Sequence, residues 1–292
     1  MEHTWVLLAL LSAFSLATSD ALAKRTLSAS NEYLVALFRL LFSLPLLLVT
    51  LISIPVPSLD REFYMAYGLA LPIELITVVL YIKALKESPL SLSLPFLALT
   101  PVFLIFFSYF ILGERVSSQG AAGIVMIAAG GYLLTAAGPG KGILEPFRAI
   151  GRERGILYMT GVALLYALTS SLGKRAIEHS SPLFFGAVYF VGLSILFLPI
   201  GLLRGRSDLR QFLATGRYKE QLLPGIFYGV MVLSHMAAMK LTKVAYMVSV
   251  KRSSLLMGIL YGYFMFREDN IRGRFLGGLL MLSGFVMVVT AQ

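Results

Sequence analysis

The sequence has no cysteine, one tryptophan, three histidines and few charges, only 14% of its 292 residues. Without thiols there are no disulfides and no thiolate metal sites. With only His3, His179 and His235, no H-E-x-x-H spacing and no Ser/Lys or Asp/Asp arrangement, an intramembrane enzyme has nothing to be built from; no catalytic residue, metal or cofactor is expected. Acidic residues are also scarce, 15 against 25 Lys and Arg, giving a net charge of +10. In a soluble chain that surplus would suggest nucleic acid. Here the cations fall mainly in connections between apolar runs, where topology and anionic headgroups account for them, so no nucleic-acid partner is expected. Long polar stretches are missing too, which leaves no room for a soluble catalytic module.

What is present is apolar surface: 58% of residues are hydrophobic and mean hydropathy is +0.81. Apolar segments run from about 4 to 23, 33 to 53, 64 to 85, 90 to 112, 117 to 138, 155 to 173, 182 to 203, 221 to 239, 244 to 266 and 273 to 291. Each approaches the ~20 residues that cross a ~30 Å hydrocarbon core as a helix. The expected fold is an all-α integral membrane protein of ten transmembrane helices.

The chain also contains itself twice. Ala13, Ala17, Leu22, Lys24 and Arg25 recur 150 positions later as Ala163, Ala167, Leu172, Lys174 and Arg175. Lys86, Tyr109, Phe110, Glu114, Gly123 and Gly130 recur 154 positions later as Lys240, Tyr263, Phe264, Glu268, Gly277 and Gly284. The expected division is a first five-helix repeat over 1–140, a basic linker over 141–154 and a second repeat over 155–292. Two copies with five spans each must be inverted relative to one another. That is the architecture of secondary transporters, in which inverted repeats share a midplane site.

Ala21-Leu22-Ala23 after the first apolar run resembles a signal-peptidase site. Its leader has no basic residue, and the same segment recurs in mid-chain, so it reads as a retained first helix. Without a targeting segment, a prokaryotic cytoplasmic membrane is expected. The polar connection Arg204 to Glu220 reads as a linker with an amphipathic surface turn at Leu209, Phe212 and Leu213. In a ten-helix count it shares one side with the inter-repeat linker, Lys24, Arg25, Lys83, Lys86, Arg267, Arg272 and Arg274. Arg61, Arg115, Lys174, Arg175, Lys240 and Lys243 take the other. By the positive-inside rule the richer side is cytoplasmic and both termini lie outside.

An ionisable residue near mid-bilayer costs about 2.5 to 3.5 kcal/mol on insertion scales, so each is a functional hypothesis. Lys251 and Arg252 sit in the ninth span, and Lys251 lies about 12 Å along a helix from Lys243, its nearest exit. At helical spacing Met247, Lys251, Ser254, Gly258 and Tyr261 form one polar stripe, with Val248, Arg252 and Leu255 about 100° round. Two fixed cations there would hold a carboxylate or a phosphate, Arg as a fork and Lys as a point charge. The bland alternative places both at the interface, or pairs Lys251 with Glu74. Arg39 in the second span either binds substrate or ties helices together. Glu74 either carries a coupling proton or serves as counter-ion to Lys251, Arg252 or Arg39. His235 either relays protons or satisfies a helix-packing hydrogen bond, and Asp20 either belongs to the same interior or lies at the interface near Lys24.

Gly120, Gly123, Gly130 and Gly131 in the fifth span, with Gly273, Gly277, Gly278 and Gly284 in the tenth, allow close helix approach, as scaffold or as homodimer contacts. Ser12, Ser15, Thr18, Ser19, Thr169, Ser170 and Ser171 either line a cavity or bond back to their own helices. Pro95 and Pro101 break the fourth span, whereas the ninth has Ser249 and Leu255 at those positions. The expected site is therefore asymmetric, with the kink from one repeat and the charges from the other.

On Pro101, Leu112-Gly113-Glu114-Arg115, the Gly120 and Gly123 run, Arg39 and the Glu268 to Gly284 echo, the whole chain resembles the drug/metabolite transporter superfamily, in its ten-helix form with two EamA-like domains. The resemblance implies transport of amino acids, amines, purines, nucleotide sugars or sugar phosphates by alternating access without ATP. Val250-Lys251-Arg252-Ser253 is similar to the ninth-helix Lys-Arg motif of the triose-phosphate and nucleotide-sugar branch, which implies phosphate contacts for Lys251 and Arg252. The expected function is secondary transport of a small, anionic, phosphorylated or carboxylate metabolite. Lys251, Arg252, Arg39, Ser254 and Tyr261 would bind substrate, and Glu74 and His235 would serve coupling to a proton or counter-substrate. A proton-coupled exporter of amino acids, amines or drugs is the first rival, and a flippase for a lipid-linked anion the second.

Overall fold

The computed structural model describes residues 3–27, 30–87, 93–136, 153–266 and 271–291. In chain order these form α1 (Thr4–Leu27), α2 (Glu32–Ser53), α3 (Arg61–Glu87), a 3-10 helix (Leu94–Leu99) running into α4 (Thr100–Leu112), α5 (Ser118–Ala136) and α6 (Arg154–Glu178). There follow α7 (Pro182–Arg204), α8 (Arg206–Ala214), a second 3-10 helix (Arg217–Gln221), α9 (Leu222–Leu241), α10 (Val244–Lys251), α11 (Ser254–Phe266) and α12 (Ile271–Val289). No strand occurs among the described residues. The ten expected spans are all helical, the fourth and ninth each in two pieces. Seven are long and apolar enough to cross a membrane by length and composition, and α5 and α12 contain shorter apolar helices. Most of the linker expected over 141–154 lies outside the described residues.

Local chemistry sets the helix ends. The side chain of Asn31 accepts from the backbone N–H of Tyr33 at 3.0 Å and that of Ser181 from Phe184 at 3.3 Å, each supplying an acceptor that a helix start lacks. Gly113 closes α4 in the left-handed region at φ 70°, where a side chain would be strained. Its N–H bonds Tyr109 O at 3.0 Å and that of Glu114 bonds Ser108 O at 3.2 Å, which fixes Glu114 at the corner between α4 and α5.

The glycines show how the repeats are related. A Cβ on Gly123 would meet the carbonyl of Gly284, and one on Gly130 the carbonyl of Gly277. Position rises along α5 as it falls along α12, so these two helices, which are repeat counterparts, run antiparallel. Inversion follows directly. The remaining packing obeys the same exchange: α1 lies on α9 as α6 lies on α3, and α1 also meets α10 and α11 as α6 meets the Leu94–Leu99 helix and α4. The glycine stripes are thus occupied by contacts within one chain.

Both described ends lie on one side of the bundle. The opposite side carries α8, where Phe212 is buried with its ring 5.4 Å from that of Phe38, while Leu213 is exposed as a surface-lying turn requires.

Candidate substrate cavity

The bundle encloses a cavity of about 330 Å³. Its lining reaches Lys24, Leu27 and Glu32 at the α8 side, and toward the side of the termini it stops at Gly173, Phe185, Met236 and Met239. Beyond that floor lies a polar seal. Lys174 donates to Glu114 Oε1 and to the carbonyl of Thr242, and Glu114 Oε2 accepts the Val244 N–H at 3.0 Å. One carboxylate therefore joins the α4–α5 corner to the end of α6 and caps the start of α10, tying the first repeat to the second.

The ninth span is broken, contrary to the expected asymmetry. Helix α10 ends at Lys251 and α11 starts at Ser254. The Arg252 N–H is shared between Val248 O and Ser249 O, and the Ser253 and Leu255 N–H groups reach back three residues rather than four. Two hydroxyls bond their own helix, Ser249 to Ala245 O at 2.6 Å and Ser253 to Val250 O at 2.6 Å. Back-bonding of this kind competes with the helix ladder and bends it without proline. The break matches that of the fourth span, where the 3-10 turn over Leu94–Leu99 meets α4. Each repeat thus supplies a discontinuous helix, the construction from which midplane sites are made.

Lys251 and Arg252 lie at that break and line the cavity. Lys251 Nζ has Met231 Sδ and His235 Nδ1 at 3.2 Å each. Arg252, buried at 6% exposure, donates from Nη2 to Thr100 Oγ1 at 2.7 Å, while its Nε has no partner. No carboxylate contacts either cation among the described residues. Arg39 differs: its Nη1 meets Asp20 Oδ1 at 2.6 Å and its guanidinium lies 4.8 Å from the centre of the Tyr228 ring, so its charge is balanced locally. Glu74 is buried, and its Oε2 accepts from Thr169 at 2.8 Å; the Tyr189 hydroxyl lies 3.4 Å from the same oxygen but has the Ala70 carbonyl nearer, at 3.1 Å.

Ser254, Gly258 and Tyr261 also line the cavity, and the Tyr261 and Thr18 hydroxyls are 2.7 Å apart. Met247, placed on the same stripe by helical spacing, is fully buried away from it, while Val248, Arg252 and Leu255, placed off the stripe, line it. The turn at Arg252 and Ser253 resets the helical phase. Among the hydroxyls, Thr169 and Ser170 line the cavity, whereas Ser12 and Ser19 bond carbonyls of α9. Tyr81, Tyr166 and Tyr228 were not singled out by sequence, yet all three line the cavity. A signal for two of them existed: the 154-residue spacing pairs Glu74 with Tyr228 and His235 with Tyr81.

The model of the EamA-like transporter family matches residues 3–136 and again residues 153–290. The chain belongs to the EamA-like transporter family. A solved crystal structure of a protein at 16% sequence identity superposes with a TM-score of 0.75, covering 97% of this chain and 96% of its own; at that identity it shows a shared fold alone. No curated protein sequence matches the chain.

Membership makes this EamA-like protein a multi-pass membrane transporter of the drug/metabolite superfamily, with two EamA domains, and not an enzyme. It acts on a small molecule from within the bilayer. The cavity described above reaches toward α8 and stops short of the Glu114–Lys174 contact at its other end.

Proposed function

We propose that this EamA-like transporter moves a small organic anion, phosphorylated or carboxylate, by alternating access, with Lys251 and Arg252 as the anion ligands. One observation carries the reading: two adjacent cations line an interior cavity at a helix break, and neither has a carboxylate partner among the described residues. Holding uncompensated charge inside a membrane protein is costly, so a site of this kind is explained by the anion it takes up. The short similarity of Val250-Lys251-Arg252-Ser253 to the triose-phosphate and nucleotide-sugar branch points the same way. Ser254 and Tyr261 contribute hydroxyls to the same cavity, and Arg39 acts by positioning Asp20 and Tyr228. A proton or a counter-substrate drives the cycle. The basic α8 side faces the cytoplasm of a prokaryotic cell, from which the cavity is loaded.

The test is thermal stability of the purified protein in detergent with phosphorylated metabolites, carboxylates and amines, beside Lys251→Gln/Arg252→Gln. A ligand at 100 times its Kd stabilises the folded state by about 2.7 kcal/mol. Stabilisation by anions that vanishes in the double variant is expected. Stabilisation by amines alone, unchanged in that variant, would instead support an amine exporter centred on Glu74, which lines the same cavity.

A further inference from the structure

We infer that the outer face of α8 is a headgroup site for an anionic phospholipid, and that a lipid held there braces the wall of the cavity mouth. It holds that lipid whether or not Lys251 and Arg252 bind an anion.

The segment from Arg204 to Gln221 is set at headgroup depth by what flanks it. Leu202 and Leu203 at the end of α7, and Leu222 and Leu223 at the start of α9, are all exposed, as side chains that meet hydrocarbon are. Along α8 the two faces differ in kind. Leu209 and Phe212 pack with Ala23 and Leu27 of α1 and with Leu34 and Val35 of α2. Arg206 and Arg210, four residues apart, share the other face with Leu213, three further on, and all three are exposed. Arg204, just before α8, is exposed as well. None of these three arginines makes an ion pair or a side-chain hydrogen bond with a described residue.

Two guanidinium forks beside a leucine complement a phosphate ester with an acyl chain: the arginines meet the phosphate oxygens in pairs, and Leu213 meets the first methylenes. A positive-inside signal needs only charge in a connection, and a flexible one serves. Here the charge is mounted on a folded helix. The equivalent connection of the first repeat, residues 54–60, carries no cation, so the fold does not demand one at this corner.

What α8 rests on gives the lipid its consequence. Val35 belongs to the cluster around Phe212 and also lines the cavity, as do Leu27 and Glu32 at the mouth. Asn31 Nδ2 donates to Asp208 Oδ2 at 3.2 Å and to the Arg204 carbonyl at 3.3 Å. Arg217 donates to Ser30 Oγ at 3.3 Å, and Thr26 Oγ1 donates to Glu220 Oε2 at 2.8 Å. The α8 segment is thus fastened to the ends of α1 and α2 at several points, and a headgroup that fixes α8 fixes that wall.

The experiment uses the full-length chain. In detergent, unfolding midpoints are measured while phosphatidylglycerol or phosphatidylcholine is titrated, with glycerol phosphate and inorganic phosphate as headgroup chemistry without a tail. The anionic lipid is expected to stabilise at about tenfold lower concentration than the zwitterionic one, and the soluble phosphates to give no shift at the same concentrations. Arg206→Gln/Arg210→Gln is expected to abolish the preference. Arg61→Gln/Lys240→Gln, which removes the same charge from exposed positions on the opposite side, is expected to keep it. In nanodiscs, amide hydrogen exchange over residues 30–36 and 206–214 is expected to be at least about threefold slower with phosphatidylglycerol than with phosphatidylcholine, and equal in the two lipids for Arg206→Gln/Arg210→Gln. Equal stabilisation by both lipids overturns the inference, as does a preference that survives Arg206→Gln/Arg210→Gln or is lost equally in Arg61→Gln/Lys240→Gln. Soluble phosphates that stabilise as well as the lipid overturn it in favour of a soluble anion, and exchange over 30–36 that ignores the lipid overturns the brace. The wild-type comparison needs no variant, so a variant that fails to fold does not protect the idea.

Discussion

Both oxygens of Glu114 are engaged across the boundary between the repeats, one by Lys174 and one by the Val244 N–H, and the pair is largely removed from solvent, with side chains 12% and 9% exposed. Removing one member of such a pair leaves the other charge stranded, which costs about 3 to 5 kcal/mol. Glu114→Ala is therefore expected to lower the midpoint of thermal unfolding in detergent clearly, and Glu114→Ala/Lys174→Met to recover part of the loss. On the same side, exposed Asp60 accepts the Phe63 N–H at 3.0 Å and pairs with His179 Nδ1 at 2.7 Å. The Phe63 N–H first, and then the His179 hydrogen bond, hold its carboxyl below the usual carboxylate range. A group depressed in the folded state stabilises it above the unfolded value near 3.8 and loses that contribution as pH falls through the folded value. Stability titrated downward from pH 5 should thus show an acid-side decline that Asp60→Asn flattens. At this scale the sequence disclosed which side chains matter better than what they touch. Lys251, Arg252 and Glu74 stand out because charge is conspicuous in an apolar span. The Asp20–Arg39 pair joins two helices through a distance that spacing along one helix does not contain, and cavity tyrosines look like ordinary membrane aromatics.

The seam between α5 and α12 depends on residues with no side chain. A Cβ at Gly130 would collide with the Gly277 carbonyl and with Met281, so there is no room for even a methyl. Gly130→Ala is expected to destabilise by about 1 to 3 kcal/mol through overpacking, measured as a fall in unfolding midpoint. Gly258 is the contrast. It lines the cavity and a Cβ there meets nothing within 4 Å. Gly258→Ala should leave the unfolding midpoint unchanged or higher, whereas Gly258→Phe should keep the protein folded and cut uptake into proteoliposomes at least tenfold by filling the cavity. If Gly258→Phe transports normally, the cavity is not the route. The existence of these elements was plain from apolar run length. The break in the ninth span was not, because the usual marker of a broken helix is proline and this one is made by Ser249 and Ser253, residues equally at home on an intact helix.

Across the whole molecule, the 150- and 154-residue echoes carried the essential information, since an odd number of spans per copy dictates inversion before any coordinate is known. Which end is open was not written there: both ends of the cavity are built from equivalent segments, and the contact of Lys174 with Glu114 is one that spacing along the chain does not contain. The lack of native cysteine makes the distinction measurable. Ala36→Cys, on the cavity wall, should react with a polar thiol reagent supplied from the α8 side, and Ala245→Cys, fully buried beside the seal, should be protected until Glu114→Gln is added. Inside-out vesicles should label Ala36→Cys and right-side-out vesicles should not; the reverse would overturn the assigned orientation. The two broken spans also differ in what they can become. Pro101 has no N–H to return to a ladder, so the fourth span is a fixed elbow. Every residue from Ser249 to Leu255 keeps its N–H, so the bend of the ninth span is held by the Ser249 and Ser253 hydroxyls and by backbone bonds that reach back three residues, not by a missing donor. The pseudo-symmetric halves are therefore built unequally: the break in the fourth span holds a residue with no N–H to give, and the break in the ninth, which carries Lys251 and Arg252, holds none.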